Sequence, residues 1–111
     1  MLTRGIWLIH AETEDGRHGI GEASPLPGLS PEAASDIGFR LSEACRAVEA
    51  SGGLAPNALA DAPALRFGIE CALLAARSGG AARWDTPFAR GEAGLRLHHL
   101  IWMDSAEAVM S

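Results

Sequence analysis

Few residues in this 111-residue chain are of types that move protons, attack carbonyls or hold metals. The four histidines are His10, His18, His98 and His99. His98 and His99 are neighbours in a strand-like stretch, so they point to opposite faces and cannot share one ion by local geometry. His10 and His18 fall on the two arms of an expected hairpin, and nothing nearby in sequence completes a zinc set. Glu22 has the chemistry of a general acid, but a carboxylate that closes a strand end is the reading its position favours. Cys45 and Cys71 lie in apolar helical patterns without a Cys-x-x-Cys spacing, so buried reduced thiols are expected. Every one of the nine basic residues is arginine. Chemistry that needs a lysine base, a Schiff base or a P-loop lysine is therefore excluded from these residues.

The bulk properties narrow the field further. The net charge is −5 and the apolar fraction 48%, with charges scattered rather than blocked. That is a globular composition. No basic patch could neutralise a run of phosphates, so a nucleic-acid partner is not expected. No stretch reaches the ~20 apolar residues of a membrane span. Arg4 and the short apolar run after it do not make a signal peptide. A cytoplasmic location and no membrane partner are the expectations.

Positioning falls to a few elements. Residues 5–12 alternate as a strand, with Trp7, Ile9 and Ala11 on one face and Ile6, Leu8 and His10 on the other. Both faces are largely apolar, which predicts a strand covered on both sides or central in its sheet. Thr13-Glu14-Asp15-Gly16 has turn chemistry, and His18 to Ala23 returns as the second arm. Ser24-Pro25-Leu26-Pro27-Gly28-Leu29-Ser30 is a stiff loop. Ser30, Pro31 and Glu32 then read as N-cap, first helical residue and dipole partner of a helix running to about Ala50. Its stripe is Ala34, Ile37, Leu41, Ala44 and Val48, and Gly52-Gly53 stop it. A second helix is expected from Pro63 to about Ser78. Leu65, Ile69, Ala72, Leu73 and Ala76 form one face, which Phe67, Cys71 and Leu74 broaden enough to predict burial on more than one side. Trp7, Trp84 and Trp102 read as core. Leu95 to Met103 reads as a third strand, and Ser105 as the cap of a helix of which about one turn is present. A strand followed by a helix is the opening of a βα unit, and the first strand is entered within a few residues of Met1, so the chain reads as cut at both ends.

Four segments carry a resemblance. Gly19-Ile20-Gly21-Glu22-Ala23-Ser24-Pro25-Leu26-Pro27-Gly28-Leu29-Ser30 is similar to a stretch of the o-succinylbenzoate synthases of the enolase superfamily. Leu65-Arg66-Phe67-Gly68-Ile69-Glu70-Cys71-Ala72-Leu73 resembles that family's helix P-S-x-x-F-G-x-E-x-A-L, with Ala64 where serine is usual. Leu97-His98-His99-Leu100-Ile101-Trp102-Met103-Asp104 resembles I-N-G-L-I-W-M-G of the first barrel strand, from which His98, His99 and Asp104 depart. Thr3-Arg4-Gly5 is a weaker match to the end of a mobile loop.

The resemblance implies an α+β fold: an enolase-like N-terminal capping domain over residues 1–94, antiparallel strands then helices. Residues 95–111 would begin a truncated (β/α) barrel. It implies a dehydratase of menaquinone biosynthesis, a magnesium-dependent lyase. In such an enzyme three carboxylates hold Mg2+, two lysines do acid/base work, and the metal stabilises the enediolate. None of those groups falls within these residues, so no catalytic or metal-binding residue is assigned, no cofactor is expected in this chain, and the chain alone is expected to be inactive. What remains is the capping share, closure of the site over a small-molecule carboxylate substrate. The loop positions Ser24, Leu26, Pro27, Gly28 and Leu29 would face that substrate. For Leu26 and Leu29 lining and mere turn-shaping stand side by side, while Ser30 reads as a helix cap. Arg4 would meet a substrate carboxylate, or else stay solvated. The rival readings are the cap of a muconate cycloisomerase, dipeptide epimerase or N-succinylamino acid racemase, and a non-catalytic binding or assembly module. The latter would self-associate through the unfinished barrel strand.

Overall fold

A computed structural model of the chain describes residues 5–32, 36–79 and 84–98. Two strands, β1 (Trp7–Glu12) and β2 (His18–Ala23), are followed by two helices, α1 (Ile37–Ser51) and α2 (Pro63–Arg77). The strands pair antiparallel, with Trp7 opposite Ala23 and Glu12 opposite His18. Gly16 closes the turn between them at φ 86°, a conformation that favours glycine, and its N–H donates to the Thr13 carbonyl at 3.0 Å. Arg17 pairs with Asp15 at 3.1 Å across the turn.

The inward face of β2 consists of Gly19, Gly21 and Ala23, all buried. Against it lies α2, with Leu65, Gly68, Ile69, Ala72, Ala75 and Ala76 buried. The two backbones meet almost directly. A methyl group placed on Gly21 would overlap the Gly68 carbonyl, and one on Gly19 would overlap the backbone of Ala72 and Ala76. Gly68 in turn sits beneath Ile9 and Ala23. Small residues on both elements thus set the separation of helix and sheet. Leu65 and Ile69 fill the remaining core with Ile9, Ile37 and Leu41.

Helix α1 begins at Ile37, not at Ser30–Pro31. Its N-cap, Asp36, makes no side-chain cap bond. The expected capping residues are engaged elsewhere: the Ser30 hydroxyl accepts from the Leu26 N–H at 2.7 Å, and Glu32 Oε1 accepts from the Ala64 N–H at 2.6 Å. Ala34, expected in the apolar stripe, lies outside the described residues. Gly52 stops the helix in the left-handed region, its N–H donating to the Val48 carbonyl at 2.8 Å. Between the helices, Arg66 straps residues 54–62 down. It donates to the carbonyls of Ala55 and Ala58 and pairs with Glu70 at 2.6 Å.

Three expectations about burial are corrected. The outer face of β1 is open: Ile6 is 53% exposed and Leu8 67%, because the helices pack on the other face only. For α2, Phe67 and Leu74 are exposed, on the side of the helix turned away from the sheet and core. Trp84 is exposed and Trp7 half-buried against the core. Residues 95–98 form no strand, Leu95 and Leu97 being exposed. The rest of that expected strand, with His99 and Trp102, and the helix after Ser105 lie outside the described residues. Among the described residues no helix is long and apolar enough to cross a membrane.

Candidate functional site

The loop that follows β2 is built around its own backbone. The Leu26 carbonyl accepts from the N–H groups of Leu29 and Ser30, at 3.0 and 2.9 Å, while the Leu26 N–H donates to the Ser30 hydroxyl. Gly28 takes φ 78° with open space around its Cα. Pro25 is buried and anchors the loop at its root. Ser24 donates to the Glu22 carboxylate, which is exposed at the end of β2. Glu22 is thus a strand-end carboxylate with a local partner, as its position suggested.

The loop presents a small, stiff crest. Leu29 is 62% exposed, Pro27 and Gly28 are exposed, and Ser24 and Leu26 are half-buried. Of the residues proposed from sequence to face a substrate, these five lie together on one loop. Arg4 lies outside the described residues.

Glu32 anchors the crest from behind. It reaches 32 residues ahead to the first turn of α2, where backbone N–H groups lack intrahelical partners. Its other oxygen, Oε2, is buried without a hydrogen-bond partner among the described residues. Sequence reading gave Glu32 to the helix directly after it. Only the Ala62-Pro63 start, with no side-chain cap of its own, hinted that a cap must come from elsewhere.

A cleft of about 500 Å3 opens at the other end of the sheet, between β1 and the C-terminal halves of the helices. Ala11, Val48, Ala72 and Leu73 give it an apolar floor, with Glu49 and Arg77 on its lining. Cys45 is in that wall; burial, then the neighbouring Glu49 charge, pushes its thiol up from the ordinary value. Both cysteines are free, neither fully buried. Beyond the cleft, Arg40 meets Asp61 at 2.6 Å, and this hydrogen bond holds the Asp61 carboxyl below the ordinary range.

Among the described residues no three His, Cys, Asp or Glu side chains converge to hold a metal ion. The described residues therefore do not fit Mg2+, which takes several oxygen ligands. The crest is apolar side chains and backbone, and the ionisable group at its root is Glu22, which accepts from the Ser24 hydroxyl.

Comparison with known proteins agrees with this architecture. The family described as MenC, N-terminal domain, matches residues 1–76. The o-succinylbenzoate synthase of Desulfotalea psychrophila (strain LSv54 / DSM 12343) is 30% identical over 138 residues, covering 96% of this chain and 37% of the relative. The crystal structure of MenC from Desulfotalea psychrophila LSv54 superposes with a TM-score of 0.60 at 27% identity, covering 96% of this chain and 39% of that one. The chain spans about two fifths of the length of the relatives it matches.

Proposed function

The chain belongs to the MenC N-terminal domain family of the enolase superfamily, and from that membership we propose that it is the substrate-capping portion of an o-succinylbenzoate synthase-like dehydratase of menaquinone biosynthesis. The observation that carries the reading is the crest at Ser24–Ser30. It is an exposed loop made rigid by its own hydrogen bonds and pinned to the root of α2 through Glu32. Loops that cover a reacting centre work by excluding water and fixing the substrate, and a loop ordered beforehand loses little entropy in doing so. Leu26 and Leu29 supply apolar contact; Gly28 keeps the crest free of a side chain. Catalytic groups and any Mg2+ would come from a barrel, since this sequence holds no lysine.

The test has two parts. The 111-residue chain is assayed alone, and as a chimera replacing the matched segment of the Desulfotalea relative. The chain alone should form no o-succinylbenzoate, and the chimera should turn over. Leu26→Ala with Leu29→Ala in the chimera should raise KM about tenfold or more, two partly exposed apolar contacts being lost together. Turnover by the chain alone would refute the capping assignment. So would an active chimera in which the double substitution moves neither KM nor kcat.

A further inference from the structure

The outer face of the hairpin carries two imidazoles that no part of the capping role uses. Pairing of Glu12 with His18, and of His10 with Ile20, puts His10, Glu12 and His18 on the same face, the two histidines as diagonal neighbours. Their rings are near-parallel, 15° apart with centroids at 5.0 Å, and offset so that His10 Nε2 and His18 Nδ1 stand 2.8 Å apart. One proton at most lies in that gap, so at least one nitrogen directs a lone pair into it.

We propose that His10 and His18 form a two-imidazole site for a borderline transition-metal dication, of which Zn2+ is the probe used below. Imidazole nitrogen suits Zn2+ and Ni2+ and does not suit Mg2+. Zn–N bonds of about 2.0–2.1 Å in a tetrahedral shell would hold the two nitrogens roughly 3.3 Å apart, so the nitrogens need separate by only about half an ångström while the rings turn to aim both lone pairs at the ion. Both side chains are exposed and can make that movement. A neutral pair binds the ion with no net loss of a proton: the imidazole that donated into the gap carries its proton on its other ring nitrogen instead, by exchange with water, so that both gap nitrogens present lone pairs.

A carboxylate stands close behind one of the rings. Glu12 Oε1 lies 3.7 Å from His18 Nε2, the nitrogen on the far side of the ring from His10. A histidine that ligates through one nitrogen commonly directs the N–H of the other to a carboxylate, which fixes its tautomer and raises its basicity. The surroundings favour a cation: Glu12 and Glu22 share the face, and Glu14 and Asp15 occupy the adjoining turn. Arg17, the basic residue of that turn, is engaged with Asp15 and the Arg77 carbonyl. Water completes the shell, so the site is shallow and exchangeable. A bound ion clamps the turn end of the hairpin, at the opposite end of β2 from the crest.

The experiment is a Zn2+ titration of the full 111-residue chain, followed by calorimetry and by the histidine ring resonances. The His10 and His18 rings should shift together. His10→Gln or His18→Gln should weaken binding by more than about tenfold, and Glu12→Gln by less. His98→Gln with His99→Gln should leave the affinity unchanged, and millimolar Mg2+ should move no ring. Far-UV circular dichroism of each variant confirms that the fold is kept, these side chains being exposed. The proposal is overturned if millimolar Zn2+ leaves both rings unmoved, if His18→Gln binds as tightly as the parent, or if binding disappears with His98 and His99 instead.

Discussion

The two strands of one hairpin face their helices in opposite ways. On β2 the inward side chains are two hydrogens and a methyl, at Gly19, Gly21 and Ala23, and α2 lies against the strand backbone itself. On β1 the inward residues are Trp7, Ile9 and Ala11, and α1 stands off. Helix α1 is held by Ile37 and Leu41 near its start, while Ala44, Cys45 and Val48 reach across a cleft without closing it. The difference teaches that core quality here follows the fit of facing sizes more than the amount of apolar residue. Very small faces on both β2 and α2 leave no gap, whereas intermediate faces on β1 and α1 fill the space between them only in part.

Adding the same kind of atom to each side breaks or sharpens this contrast. Gly21→Ala should have the largest effect. Its methyl would meet backbone, not a movable side chain, so the helix must shift, at a cost of about 3 kcal/mol or more. Urea denaturation measures it, and a loss under about 1 kcal/mol would show that the seam yields more than close packing permits. Ala11→Val adds two methyls to the facing strand, where they enter the cleft. It should leave stability unchanged or raise it by up to about 1 kcal/mol. A clear loss would mean that the cleft wall does not admit them.

The smallest effect is at Cys45. Its raised thiol means that the folded chain keeps the proton when an unfolded thiol has released it. Stability should therefore be indifferent to this group below the ordinary thiol range, and decline slightly as pH rises through it. Alkylation of Cys45 should reach half its limiting rate at higher pH than for a free cysteine. An unshifted profile would place the thiol in open water.

Much of the frame was legible in the residues. Asp15-Gly16 marks the hairpin turn, Pro63 the start of α2 and Gly52 the end of α1, because each acts through its own backbone conformation. The stiff loop was legible for the same reason. The start of α1 was not: Ser30 and Glu32 have the right types and spacing for a cap, but both spend their oxygens on partners that only the tertiary fold brings near. The Gly-x-Gly-x-Ala run of β2 and the Gly68-Ala72-Ala76 row of α2 are plain in the sequence, yet their meaning appears only when the two rows face each other. Apolar content misled at Leu8, Ile6 and Phe67, where hydrophobic character alone cannot say which faces a neighbour covers. The histidine pair needed the strand register before two residues eight apart could be seen as neighbours.

The bond from Glu32 to Ala64 closes a circuit. The chain leaves β2, rounds the crest, passes to the head of α2 through a side chain, and returns along α2 onto β2. Helix α1 and the turns after it form a long detour from this circuit, fastened together at its two ends and seated on the core through Ile37 and Leu41. Length added to the turns after α1 would leave the circuit's circumference, and with it the pose of the crest, as it is, so long as Ile37 and Leu41 keep their places in the core. The segment thus separates what must stay constant from what is free to drift: a short ring that sets geometry, and an appended span in which a lineage can experiment.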